Sequence, residues 1–594
     1  MTRRRLTLLC VLAAGTLLPL SLTGCGKEPT HEGRPLREWI MDLRWQDPAV
    51  REQALEALAE MGADAEPAVP DILYLIETDK DWQLKERGAE TLARIGKVVI
   101  PKVLEALESK KEHLRAFAAQ ILGDIGPDAA EAVPHLRTAL GDEHPAARAA
   151  AAQALGDIGT PALSEETLAA LAGALKDTDP LTRQNAAGSL LKFGAAAEPV
   201  IPALVGALGD EQPGVRERAA ATLDEIGAPA IASLIPVLRS EDKHARALAF
   251  RVLVKMGPAA LDAFKTALES ADRYMRVVAA RALGRMGPTA APVVPALAAA
   301  LKDRDRQVRA TAASALGSVG PAAAPAVIPL LKDADSRELV TAIVIRLRGA
   351  AVPALVDALG SADGELRLAV IGVLRRLGRA AEPAVPALAK ALRSKDTAEV
   401  MGALAALGAI GPRAVAAVPE LVDRMQGKDA AVADAAAITV SRIGPAAAGP
   451  VARLLKDRRK EVQGRAAGVL ESMGLAALPA LKAVLEEREP GTRDLVFAVL
   501  RGIGVETAPT LIELQTHKDE ALRKLAAGLL VRFERSAVPY LVRALVDPNA
   551  VVRARAGLIL KEIGGAAVPG LQAARNVPEL RPAAEKLLKE LGAE

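Results

Sequence analysis

DRDRQVRATAASALGSVGPAA, residues 303–323, sets the frame for the whole chain, because it recurs with substitutions. DTDPLTRQNAAGSLLKFGAAA (177–197) and DEQPGVRERAAATLDEIGAPA (210–230) carry the same marks in the same order. Each closes on a glycine. Counted on that residue, the markers run Gly62, Gly96, Gly126, Gly159, Gly194, Gly227, Gly257, Gly287, Gly320, Gly349, Gly378, Gly411, Gly444, Gly474, Gly504, Glu534, Gly564 and Gly592. That makes 18 units from about residue 35 to the end, mostly 30 or 33 residues apart. Self-similarity at such a period predicts a stack of repeats, not one closed domain.

One unit can be read physically. Leu stands four residues before the marker in 16 units, with Ile345 and Val440 as the exceptions. Small residues occupy seven and eight before it, as at Ala186-Ala187 and Ala312-Ala313. These positions share one face at 3.6 residues per turn, which predicts an amphipathic helix, here named B. The glycine stops it by supplying a positive φ, and proline often follows, as in Gly126-Pro127. A shorter helix, A, precedes B, as in VPALAAALKD (294–303), with proline in its first turn. Asp or Ser after A caps B. Proline falls five residues after Gly474, Gly504 and Gly564, but eight after Gly126, Gly194, Gly287, Gly378 and Gly411. The three extra residues belong to the link between repeats. The expected fold is all-α, an α-solenoid of 18 helix pairs over 35–594. With helices 8–10 Å apart, its contour would be on the order of 150 Å.

These marks resemble HEAT repeats, in the short form of the phycobilisome-lyase type. The resemblance rests on Asp142/Arg148, Asp177/Arg183, Asp210/Arg216, Asp303/Arg309 and Asp547/Arg553, each an Asp-x5-Arg pair followed by the Ala-Ala, Leu and Gly marks. It implies an Asp–Arg ladder between neighbouring repeats and a concave side lined by the B helices. It implies nothing about activity. The arginine rung, eleven before the marker, is replaced by Glu338, Val400, Ala433 and Gln463, and Arg348 stands where other units are apolar. Residues 321–474 are therefore expected to be a softer, irregular stretch.

The first residues read MTRRR and then an apolar run, the layout of a secretory signal. Gly15, Thr16, Pro19 and Ser21 interrupt that run, which is short for a bilayer span. It ends in Leu22-Thr23-Gly24-Cys25, which resembles the lipobox of bacterial lipoproteins. The resemblance implies cleavage after residue 24, a lipid on the sulfur of Cys25, and a membrane-anchored envelope protein. Gly26 in place of Asp favours the outer membrane, on its periplasmic side, over the inner. Residues 25–34 read as the lipidated cysteine and a short polar tether. Only one other cysteine exists, Cys10, and it leaves with the signal, so no disulfide is expected.

The chain has 76 Lys+Arg and 73 Asp+Glu; without Arg3, Arg4 and Arg5 the balance is 73 to 73. A nucleic-acid partner usually needs a basic footprint, so none is expected. With three Trp, three Tyr and six Phe in 594 residues, an aromatic-lined pocket is hard to build. Trp39, Trp45 and Trp82 all fall in the first two units and are expected to cap the end of the stack. The six histidines include no pair at helical spacing, so neither a metal nor a cofactor is expected.

The expected function is therefore protein binding, by a monomer, with partner unnamed. The alternative is a HEAT-like enzyme or chromophore-lyase accessory protein. The candidate face is the side of B six and two residues before the marker. It is acidic to polar in the first four units (Glu56/Glu60 to Gln153/Asp157) and basic at Arg251, Lys255, Arg281 and Arg285. Beyond these it is small and nearly uncharged, as at Ser314, Ala405, Ala409, Ala498 and Gly502.

Overall fold

The computed structural model describes residues 28–487 and 489–593. The signal (1–24) and Cys25 lie outside the described residues. From Leu36 on, the described residues form an all-α solenoid, as the repeat predicts. It divides into two compact units, one ending at Thr266 and one beginning at Ala267. The first holds seven B helices, from Pro48–Met61 to Lys243–Lys255; the second holds eleven, from Arg273–Met286 to Arg581–Glu590.

Most B helices have 14 residues, about 21 Å at 1.5 Å per residue. Their starts are capped as the sequence suggests. Asp179 accepts from the Thr182 N–H at 2.7 Å, and Asp305 accepts from Gln307 N–H at 2.8 Å. Their ends turn on glycines with φ of +54° to +112°, for example Gly194 and Gly504. The link that follows is a 3-10 turn. It has seven residues after the long-period markers (Gly126–Ala132, Gly378–Ala384) and three or four after the short-period ones (Val505–Thr507, Gly564–Ala567).

Small residues allow the B helices to approach closely. A methyl group on Gly123 would sit 2.9 Å from the Ala154 Cα, and one on Gly156 would sit 2.8 Å from the Ser189 Cα. Buried hydroxyls stitch the same contact. Ser189 donates to the Ala152 carbonyl at 2.7 Å, Thr91 to Leu55 at 3.2 Å, and Thr439 to Leu404 at 3.2 Å. Each of these three acceptors is the carbonyl seven residues before the preceding marker.

The arginine ladder is present, and it is double. Arg148 donates to both carboxylate oxygens of Asp177, at 2.7 and 2.8 Å, one repeat further on. Arg115–Asp142, Arg183–Asp210 and Arg276–Asp303 repeat this geometry. The more persistent bond is a second one, to the backbone carbonyl six residues earlier in the loop between A and B. Arg148 reaches Asp142 O at 2.9 Å, Arg246 reaches Ser240 O, and Arg553 reaches Asp547 O at 2.7 Å. Arg246 and Arg553 keep this clamp where the preceding and following carboxylates give them no bidentate partner.

Three expectations change. First, the tenth repeat is regular. Its positive-φ residue is Arg348 (φ 53°), not Gly349. Shifting the frame by one makes Arg337 the rung, with its Nε 2.8 Å from Leu331 O, and puts the fully buried Val344 at the leucine position. Glu338 is therefore no failed rung. Second, the irregular stretch shrinks. Arg367 reaches the buried Glu399 at 2.7 Å, and Gln463 keeps the loop bond through Asp457 O at 2.8 Å. Among the described residues of 321–474, only Val400 and Ala433, both buried, stand at a rung position without the clamp. Third, the stretch expected to be a tether is folded from Glu28 onward. Thr30–His31 pairs antiparallel with Arg34–Pro35 around Glu32 (φ 48°) and Gly33 (φ 77°), a two-residue turn with positive φ at both positions. Arg34 lies 3.8 Å above the Trp39 ring and 2.8 Å from Asp42.

Four stretches, among them 180–207 and 334–359, reach the length and mean hydropathy of a membrane span. Each contains a B helix, its 3-10 turn and the next A helix. They include the clamping Arg183 and Arg337, whose partners lie inside the repeat stack.

Two outcomes follow. Arg348 and Glu534 hold a positive φ that suits glycine. Arg348→Gly is expected to raise the unfolding free energy by about 1 kcal/mol, read as a higher denaturation midpoint. An unchanged midpoint would mean that no strain resides there. In the B helices Thr397–Ile410 and Ala430–Ile443, which lack the clamp, backbone amides should exchange about tenfold faster than in Pro145–Ile158. That factor corresponds to one lost charged hydrogen bond. Equal exchange would show that the packing of Val400 and Ala433 replaces the clamp in full.

Candidate interaction face

The positions six and two before each marker do form the open side of the B layer within each unit. Glu56, Glu60, Glu90, Ser314, Ala409 and Ala498 are exposed, and Ala405 is half-buried. In the first unit this side is acidic near its start. Asp157 is paired with Lys192, and burial together with the Asp157 carboxylate pushes the neighbouring Asp124 carboxyl above its usual range.

The basic residues split between the units and differ in state. Arg251 and Lys255 belong to the first. Glu217 on the preceding B helix holds Arg251, and Asp224 holds Lys255 and raises its ammonium above the usual lysine range. All but Asp224 are more than half exposed, so these pairs contribute little to stability. They do cancel the local charge. Arg281 and Arg285 belong to the second unit and are exposed, with no hydrogen bond or ion pair among the described residues.

Further along the second unit the face turns apolar. Met401 is 39% exposed and Ile438 56% exposed, on the same open side of the B helices as Ala405, Ala409 and Ala498. Ser314 is open, while Ser318 accepts a 3.4 Å hydrogen bond from Arg346. Gly502 is not bare, because a methyl group there would meet the Glu471 side chain at 2.4 Å. Ile438 stands six residues before Gly444 and so belongs to the face read from the marker offsets. Met401, ten before Gly411, lies outside those offsets and emerges only from its exposure.

Among the described residues no group of three or more His, Cys, Asp or Glu side chains is placed to hold a metal ion. A groove of 640 Å³ beside Trp82 is lined by Glu52, Glu86, Arg87 and Glu90. Trp82 donates to Glu86 at 3.2 Å and packs on Phe117 with centroids 4.9 Å apart.

Residues 100–190, 261–348 and 352–442 match the family model described as HEAT repeats. The chain contains HEAT repeats. Comparison with curated protein sequences gave no match. Among solved structures, importin beta is 12% identical with a TM-score of 0.31, covering 94% of this chain and 99% of that one. Yeast importin-beta, Kap95p, is 13% identical with a TM-score of 0.31, covering 96% and 94%. The karyopherin Kap121p bound to the extreme C-terminus of the protein phosphatase Cdc14p is 12% identical with a TM-score of 0.31, covering 93% and 86%.

Proposed function

We propose that this chain is a lipid-anchored envelope protein whose HEAT-repeat face holds a protein partner. The observation that carries the binding role is the apolar row of Met401, Ala405, Ala409, Ile438 and Ala498 on the open side of the B helices Thr397–Ile410, Ala430–Ile443 and Pro490–Ile503, with Gly468 at the same position of the helix between. Isolated exposed apolar residues are ordinary, but a row repeated from helix to helix is the surface such stacks offer to an extended partner. Arg281 and Arg285, in the same unit and uncompensated, add attraction for acidic groups. They would steer encounter and weaken with salt. Arg251 and Lys255 contribute less, since Glu217 and Asp224 already neutralise them. Anchoring rests on Leu22-Thr23-Gly24-Cys25, with outer-membrane residence favoured by Gly26.

Photo-crosslinkers at Ser314, Ala405 and Ala498 in intact cells should capture a specific protein. Crosslinkers at Lys102 and Lys390, exposed on A helices, should not. Arg281→Glu with Arg285→Glu should slow capture without lowering the denaturation midpoint. Equal capture from both sides would remove the face assignment.

A further inference from the structure

The end of a repeat stack normally turns a polar surface outward, because no further repeat covers it. The first repeat and the A helix of the second, Val69–Thr78, do otherwise. Met41 is 69% exposed, Trp45 60% and Tyr74 59%. Trp45 and Tyr74 line one groove of 620 Å³ together with Arg44, Asp71, Thr78 and Lys80. Met41 lies four residues before Trp45, across the turn that ends the helix Leu36–Asp42. In a chain with twelve aromatic residues, two of them stand open at this one place.

The start of the described chain is close by. Pro29 O accepts from the Leu36 N–H at 3.0 Å, and Glu28 accepts from the Arg37 N–H at 3.0 Å, so both are pinned to the first turn of that same helix. The helix has seven residues, about 10 Å of rise. Cys25 is three residues before Glu28, a reach of at most about 11 Å. A lipid on Cys25 would hold the first repeat at the bilayer surface, with no long linker to let it swing away.

We propose that the surface joining the first repeat to the A helix of the second docks on the membrane, with Met41, Trp45 and Tyr74 in the headgroup region. This rests on the anchoring reading above. Tryptophan and tyrosine favour that layer, where the ring is buried and its polar edge stays wet. Lys80 beside them suits lipid phosphate, whereas the Arg44 charge is met by Asp71, whose carboxylate accepts from Arg44 Nε at 3.0 Å. The consequence is an orientation: the stack leaves the membrane from a fixed end.

The test uses the full-length acylated chain reconstituted into phosphatidylethanolamine–phosphatidylglycerol vesicles, with and without brominated phosphatidylcholine. Flotation reports anchoring, and quenching of tryptophan emission by bromine reports docking. The expected result is flotation of every variant, quenching in the wild type and in Trp82→Phe, and loss of that quenching in Trp45→Phe. Trp45 is exposed, so the Phe variant keeps the fold. Flotation without quenching, or with the same quenching in Trp45→Phe, overturns the docking and leaves the anchor standing. Failure to float overturns both. A blue shift that depends on protein concentration and not on lipid would mean that a second copy covers the patch, which also overturns it.

Discussion

Arg148→Ala should lower the unfolding free energy by about 3 kcal/mol, measured by urea denaturation at neutral pH. The physical ground is that two partners are stranded at once. Asp177 loses a bidentate donor at 2.7 and 2.8 Å, and the Asp142 carbonyl loses a donor at 2.9 Å. Both charged side chains are only 13% exposed, so water does little to replace the bond. Arg251→Ala, which breaks a pair more than half exposed on each side, should cost under about 0.5 kcal/mol. Replacing both partners, Arg148→Met with Asp177→Asn, should recover part of the loss, since no buried charge then remains. A single-variant loss below about 1 kcal/mol would mean that the ladder is decoration on a stack held by the alanine–leucine face alone.

Acid supplies a second readout. The hydrogen bonds from Arg115 hold the Asp142 carboxyl below the usual carboxylate range. Burial pulls Asp177 upward, but the bonds from Arg148 and the Asp179 N–H outweigh it and leave it depressed, and Arg276 does the same for Asp303. A depressed folded value stabilises the fold above the unfolded value of about 3.9, and that stabilisation is lost as pH falls through the folded value. Stability from these groups should therefore be flat from neutral pH to about 5 and decline below about 4. In Arg148→Ala the decline should be shallower, because Asp177 no longer sits below its unfolded value. The gap between variant and wild type should narrow in acid; a gap that widens would assign the loss to something other than this pair.

Cys25→Ser should move the protein from the detergent phase to the aqueous phase in a cloud-point extraction, with helical content unchanged by circular dichroism. Each buried lipid methylene contributes about 0.8 kcal/mol, so losing the acyl group converts near-complete partitioning into near-complete release. The side chains facing the bilayer in the docking proposal are too few to hold the protein by themselves. Full retention of the serine variant in the detergent phase would mean that the uncleaved apolar run, not a lipid on Cys25, is the anchor.

The repeat, its two link lengths, the helix stops and the caps were all legible in the sequence, because each is a local event. A glycine at the end of B, a proline five or eight residues on, and an aspartate before the first turn act within about one helical turn of themselves. The tertiary structure alone decided which residue of the tenth repeat carries the positive φ, since Arg348 and Gly349 are neighbours and the sequence favours the glycine. It also decided the charge state of the candidate face. Glu217 and Asp224 neutralise Arg251 and Lys255 from 34 and 31 residues away, and Arg281 and Arg285 have no partner among the described residues. The tether was misread for the same reason: the partners of Arg34 and His31, at Asp42 and Glu60, are set by how the first helices pack. Helix periodicity fixes which side of a helix is buried. Only the offset between one helix and the next fixes which side chains meet, and that offset is a property of the stack.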